Sequence, residues 1–442
     1  MVHFKREKRL SIYPCYPSDA IFPLWQTIAE EIVANINTTG IFTIGCFCIG
    51  EGKRRSRENC APTVLVEVNP RLKRKWKKIG RAIAKVLDGH GLFDVGICFR
   101  ANWFHIPDPE PRVHASSGDC CLDSNAGCGH APGTLGWIDL KNPMSGEWEP
   151  LALTNAHCCL PFSQGLSDAE TQIVTRWRQR GIRPGDTNTS RLLNIDSPGY
   201  QDLMQAINNR KDEIAWNKRH PTYRNVEEAE AAGRFVPPID KSTWQLINDN
   251  VERLESEVDA MEASIEDDNH AIGKIYASSG ISTGISIGDM GTEQLSLRDW
   301  ALIQLAPWQS AGVNAIPGSS PGFKTALPYN DEKVRKISPV AGQTTGTYSR
   351  LKTCHIIPQP MAATAMIHWE HTVTLSCHGL PIVEASDLGS LIFDSDSMVV
   401  GILFAGSSNG DLAYFTSTQD LLEDIALVTG VSVEDIRLRG SA

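Results

Sequence analysis

Two hydrophobic periods alternate along the chain. Thr63–Val68 (TVLVEV) is a short β-branched run closed by Asn69-Pro70, the pattern of a buried strand. Behind it Leu72, Trp76, Ile79, Ile83 and Leu87 recur at helical spacing, which predicts a helix over Arg71–Leu87. Asp94–Phe99 (DVGICF) then reads as a second strand, so the three segments form a β-α-β unit. A helix-like stretch at Leu24–Val33 and a Gly- and Cys-containing segment at Ile41–Ile49 precede them, and residues 1–105 are expected to form an N-terminal α/β domain.

Residues 106–132 are rich in Pro, Cys and Gly and read as a linker. From residue 133 the texture turns to short apolar runs between Gly and Ser turns: GTLGWIDL, PLALTNAHCCL, DWALIQL, TVTLSC and SLIFDSDSMVVGILFAGS. Such a series predicts a β-barrel or sandwich over 133–430, with 431–442 as a tail. A helical block interrupts it at 165–270. There Ile247, Val251, Leu254, Val258, Met261 and Ile265 repeat as a heptad seam. Ser242 and Gln245 stand in capping-box register near its start. Tyr200, Leu203, Ile207 and Ile214 roughly share the period. An antiparallel helical hairpin inserted between two strands is therefore expected. Its outer face would be acidic (Glu252, Glu255, Glu257, Asp259, Glu262), and self-association through it is the alternative use of the seam.

Composition narrows the function classes. The 442 residues are 41% hydrophobic and 21% charged, ordinary for globular domains, with a net charge of −10. That balance argues against nucleic acid as a partner of the whole protein. The helix predicted over Arg71–Leu87 departs from it, with Arg71, Lys73, Arg74, Lys75, Lys77, Lys78, Arg81 and Lys85 on its polar face. No aromatic residues interleave there to stack bases, so a solvated face is expected. The basic start MVHFKREKRLSIYP has no secretory apolar segment behind it, and no long apolar run follows anywhere. No membrane contact is expected, and the location would be intracellular, cytoplasmic or nuclear. The twelve cysteines then read as thiols. They cluster at Cys46 and Cys48, at Cys120, Cys121 and Cys128 (beside His130), and at Cys158 and Cys159. The middle group lacks the two-residue gap of a zinc knuckle, so no metal or other cofactor is expected.

Leu153-Thr154-Asn155-Ala156-His157-Cys158 carries the clearest chemistry: a histidine just after a strand, a common place for a general base. The segment resembles the histidine motif of the chymotrypsin/trypsin-like serine peptidases. Asp299-Trp300-Ala301-Leu302-Ile303 resembles that family's aspartate strand, and Ser386-Asp387-Leu388-Gly389-Ser390-Leu391 its nucleophile turn. The order His, Asp, turn is the family's. The resemblance implies a chymotrypsin-like double β-barrel, with His157 as base, Asp299 as its orienting acid, and a peptide or protein ligand.

The turn departs from the family at its centre. Leu388 stands where the nucleophilic serine belongs, and Ser386 where a glycine is usual. Leucine has no oxygen to deprotonate, and losing a serine nucleophile costs about 2 × 10⁶ in turnover, roughly 8 to 9 kcal/mol of barrier. Ser386 is the substitute nucleophile to consider, displaced by about 7 Å along an extended chain. Cys158 is expected to point away from His157, as neighbours on a strand do. The resemblance further implies an oxyanion site at Ser386, Asp387 and Gly389, and an apolar pocket formed by Ile382, Phe404, Ala405 and Gly406. Three functions stay open: an inactive peptidase homologue that binds peptide or protein, an active serine endopeptidase, and a scaffold working through the helical insertion.

Overall fold

The computed structural model describes residues 2–4, 10–52, 56–102, 134–161, 166–196, 200–267, 271–287, 292–314, 316, 319–338, 342–357, 366–375, 382–383 and 387–440. The expected linker, with Cys120, Cys121, Cys128 and His130, lies outside them, as does Ser386.

The N-terminal segment runs β1 (Val2–Phe4), β2 (Leu10–Pro14), α1 (Trp25–Asn35), β3 (Ile41–Glu51), β4 (Ala61–Val68), α2 (Trp76–Gly89) and β5 (Gly96–Ala101). β4 and β5 lie parallel with α2 between them in sequence. The helix starts at Trp76, five residues later than its apolar spacing predicts. The Asn69 side chain accepts the Arg71 N–H at 2.9 Å and turns the chain there. An earlier start would also place Lys73, Arg74 and Lys75 at the positive end of the helix. The cations carried by α2 itself are Lys77, Lys78, Arg81 and Lys85; the other four belong to the loop before it. Its apolar stripe packs with Ile28 and Ile32 of α1 and Val64 and Val66 of β4 in one buried cluster.

The next stretch holds β6 (Gly136–Lys141), β7 (Trp148–Thr154), α3 (Ala156–Cys159), α4 (Asp168–Arg180), α5 (Thr189–Leu192), β8 (Asn194–Asp196), α6 (Tyr200–Lys218), α7 (Pro221–Ala231) and α8 (Pro238–Glu266). It continues through β9 (Ala271–Ser278), β10 (Ser282–Ile287), β11 (Glu293–Arg298) and β12 (Ala301–Leu305). The last holds β13 (Lys333–Ser338), β14 (Gly342–Ile357), β15 (Met366–Leu375), β16 (Leu391–Phe393), β17 (Val399–Gly406), β18 (Leu412–Ser417), α9 (Thr418–Thr429) and β19 (Ile436–Leu438).

The molecule is mainly β, with large antiparallel sheets. One six-stranded sheet runs β19-β6-β7-β12-β9-β8. The expected tail thus supplies a sheet strand, with Arg437 opposite Asp139. In the larger sheet β14-β13-β16-β17-β18-β15 returns on itself, because β14 also pairs with β15. Strand β14 joins β3 as well, so the N-terminal strands continue the same sheet. Beneath the first sheet Ile138, Leu153, Leu302, Ile402 and Leu421 share one core.

Within residues 165–270, α4, α5 and β8 come first, and α6, α7 and α8 then form a three-helix arm. α6 and α8 run antiparallel, tied by Arg210–Glu257 (2.8 Å), Lys211–Glu262 (2.7 Å) and Lys218–Glu255 (2.7 Å). Three of the five acids expected on an open face are therefore paired. Val251, Leu254 and Val258 of the seam are buried, as are Leu203 and Ile207 of α6 and Val226 of α7. The capping expectation was misplaced: α8 starts at Pro238, where a missing N–H costs nothing, and the Ser242 hydroxyl donates to Ile239 O inside the helix. A full capping box occurs instead at α4, between Ser167 and Glu170.

Leu254→Ala should lower stability by about 2–5 kcal/mol, measured as a shift of the urea midpoint, because it empties the centre of this seam. Leu246→Ala, at a position 74% exposed on the same helix, should change it by less than about 0.5 kcal/mol.

Candidate active site

His157 stands in α3, one helical turn directly beyond the end of β7. Its Nδ1 lies 2.5 Å from Asp299 Oδ2, and its backbone N–H donates to Asp299 Oδ1 at 3.0 Å. One carboxylate thus fixes both the ring and the main chain of the histidine. Asp299 lies in the corner between β11 and β12, which is held on several sides. Asn155 Nδ2 donates to Asp299 O at 2.7 Å, Trp300 N donates to Ser279 Oγ at 2.9 Å, and Trp300 Nε1 donates to Asp424 Oδ2 at 2.7 Å. Thr154 pairs with Ala301 across the sheet, which sets the two segments level. Asp299 is 1% exposed. Burial alone would push the imidazole pKa down, but the Asp299 charge, the neighbouring thiol of Cys158 and their hydrogen bonds hold it well above the ordinary value.

The other ring nitrogen corrects an expectation. Nε2 lies 3.5 Å from Cys158 Sγ. Neighbouring side chains diverge on a strand, but residues 156–159 form a helical turn, and the turn folds the sulfur back to the ring. No apolar-periodicity signal marks a four-residue helix, so the sequence pattern missed this contact.

The turn at 387–390 is brought to the same end of β7. Thr134 N donates to Leu388 O at 2.7 Å, and a Cβ on Gly389 would press into Thr134 O and Thr154 Oγ1. Gly389 also has φ +89°, so both space and backbone demand glycine there. Lys336 Nζ, on β13, meets Asp387 Oδ2 at 2.7 Å with both side chains essentially buried. Leu388 is half-buried against the apolar cluster of Val334, Ile382, Val383 and Leu403.

Two parts of the expected site are arranged otherwise. Gly389 N donates inward to Leu403 O at 2.8 Å, so its N–H is spent within the fold rather than offered to an oxyanion. Phe404 and Ala405 do not line a pocket with Ile382. A bulge between Leu403 and Ala405 sets them among Ile12, Phe47, Leu65 and Tyr414, against the N-terminal strands. Gly406 abuts the Val383 side chain, which takes the space an open pocket would need there. Ser386 lies outside the described residues. Among the described residues the one grouping of possible metal ligands excludes His157 and lies at the end of the β2–β3 pair.

No protein-family model matches the chain, and no curated protein does. Solved structures similar to parts of it are chymotrypsin-like serine proteases. The inactive Ser-to-Ala form of the Rv3671c protease of M. tuberculosis is 11% identical over 36% of this chain and 71% of that one, with a TM-score of 0.23. Thermobifida fusca protease A is 13% identical over 39% of this chain and 91% of that one, TM-score 0.23. Cellulomonas bogoriensis chymotrypsin is 14% identical over 39% and 91%, TM-score 0.22. Likenesses this distant carry no argument about this chain's activity. Among the described residues no helix is long and apolar enough to cross a membrane.

Two outcomes follow from this geometry. The His157 imidazolium should titrate above pH 6.5, read by NMR, and Asp299→Asn should bring its pKa down. Because the folded value is raised, the pair's stabilisation is fully present below about pH 6.5 and is lost as pH rises through the folded pKa. Lys336→Met should cost about 3–5 kcal/mol by removing the cation that faces the buried Asp387 carboxylate. Lys336→Met with Asp387→Asn should cost less than that single change, measured in a denaturation cycle.

Proposed function

We propose that the chain is a chymotrypsin-like serine peptidase homologue, a double β-barrel that keeps the base and its orienting acid but not the nucleophile. It binds a peptide or protein and does not cleave it at a serine. The observation that supports this reading is the double engagement of Asp299 with His157, at the ring and at the backbone, beside a turn whose central residue is leucine. An orienting carboxylate on Nδ1 is what a general base in acyl transfer requires. Leu388 offers that base no proton, and the N–H of Gly389 is already used. The protein works within cells, and the helical arm is a second surface for partners.

A second reading is favoured by one contact. The thiol of Cys158 stands at Nε2, where a nucleophile's proton would be taken. In that reading Cys158 is an activated thiol and the chain is a hydrolase of a different kind.

A fluorophosphonate probe tests the first reading, applied to the unmodified chain, to Leu388→Ser and to Leu388→Ser/His157→Ala. Labelling of Leu388→Ser alone supports an intact base without its nucleophile. Labelling of the unmodified chain, lost in Ser386→Ala, would overturn it in favour of an active serine peptidase. If neither labels while iodoacetamide modifies Cys158 in a His157-dependent way, the thiol reading stands instead.

A further inference from the structure

The antiparallel β2–β3 pair gathers three thiols at one end. Tyr13 lies opposite Cys48 and Pro14 opposite Phe47, so Cys15, the next residue, comes level with Cys46. Cys46 and Cys48 are two apart on β3 and share its face. The sulfurs of Cys15 and Cys46 are 3.6 Å apart. Asp19 reaches in from the loop after β2, with its Oδ2 3.7 Å from Cys48 Sγ. One donor atom each from Cys15, Cys48 and Asp19 lie within 4.8 Å of one another. The three cysteines are at most 1% exposed, while Asp19 is half-buried at the mouth of the group.

These separations suit a cation in the middle. A tetrahedral zinc ion with Zn–S bonds of about 2.3 Å sets its sulfur ligands about 3.8 Å apart, with sulfur–oxygen edges slightly shorter. Two thiolates and one carboxylate are a donor set for a soft or borderline dication, and a poor one for magnesium or calcium. We propose that Cys15, Cys48 and Asp19 hold one zinc-class divalent cation.

The surroundings fit such a load. The incoming dication displaces one proton from each coordinating thiol, so that binding releases protons and strengthens with pH. Arg57 places its guanidinium 3.7 Å from the Tyr16 ring centroid and donates to Pro14 O at 2.7 Å, a fixed positive charge beside an anionic cluster. The Tyr16 N–H donates to Asp19 Oδ2 at 2.6 Å and holds the carboxylate in place, as outer partners of metal ligands do.

The position suggests the role. Asn330 Nδ2 donates to Cys15 O at 2.9 Å, and Arg57 forms an ion pair with Asp331. The cation would therefore clasp β2 and β3 where they meet the loop before β13. Its role is structural, tying the two strands to that loop.

Cobalt(II) and zinc titrations of the full, reduced chain test this, with zinc measured by competition against a chromophoric chelator. The expected result is one equivalent bound, a thiolate-to-cobalt charge-transfer band that zinc abolishes, and a raised melting temperature. Cys15→Ser and Cys48→Ser should each weaken binding by about 100-fold or more, since outer-shell changes alone cost about 10–100-fold. Cys354→Ser, at a buried thiol of the same apolar cluster, should leave the stoichiometry unchanged. Asp19→Asn alters only the half-buried donor and should weaken binding without unfolding the chain, checked by circular dichroism. Absence of the cobalt band in the reduced chain overturns the proposal. So does a band that survives in Cys15→Ser/Cys48→Ser, which would place the cation elsewhere. A Cys15–Cys46 disulfide that resists reductant and excludes cobalt overturns it as well.

Discussion

Strand β14 belongs to two structures at once, and the rest of the molecule is arranged around that fact. Its first residues pair with β13, most of its length with β15, and Cys354 and His355 near its end with β3. Buried backbone N–H and C=O groups must find partners. A strand of 16 residues can satisfy them only by changing neighbours along its length. The change is made at a register shift between Ser349 and Thr353. One side of that shift closes the ring of strands, and the other carries the N-terminal sheet. The N-terminal strands therefore continue into the ring's sheet through the β3–β14 pairing.

Buried charge reinforces the join. Glu67 of β4 is fully buried and meets Arg100 of β5 at 2.5 Å, while Arg100 reaches Asp411 beside β18 at 2.5 Å. Thr43 and Tyr414 donate to the same Glu67 carboxylate, at 2.9 and 3.3 Å. Groups so deeply placed are tolerable only when every partner is present. The network therefore specifies one relative placement of the N-terminal strands and the ring. Asp387 with Lys336, and Asp299 with His157, follow the same pattern at the candidate site: a buried carboxylate tied to a cationic or proton-bearing partner, each fixing a turn.

Much of this was legible in the sequence because it is local or ordered. The parallel β4–α2–β5 unit followed from two periods, and the seam of α8 from its heptads. His157 and Asp299 were found through short segments in a fixed order, and the structure sets them in contact. What was missed depends on tertiary placement. The helical turn that returns Cys158 to His157 is too short to carry a period. The inward N–H of Gly389 and the partition of Phe404 from Ile382 arise from a bulge and from packing against β2, β3 and β4, which no single segment encodes. The convergence of Cys15 on Cys48 likewise needs the register of β2 on β3 across the intervening α1, although Cys46 and Cys48 stand out in the sequence.

The arm offers a different lesson. Asp196 at the end of β8 pairs with Ala271 at the start of β9, so the chain leaves the sheet and re-enters it at neighbouring points. Between them α6, α7 and α8 share a seam and cross-helix charges of their own. Such an excursion behaves as a cassette: lineages could lengthen it, trade it or discard it in one genetic event without re-registering any strand. The surface it adds, including the outward Trp216, Phe235 and Ile239, is then free to change faster than the sheets that carry it.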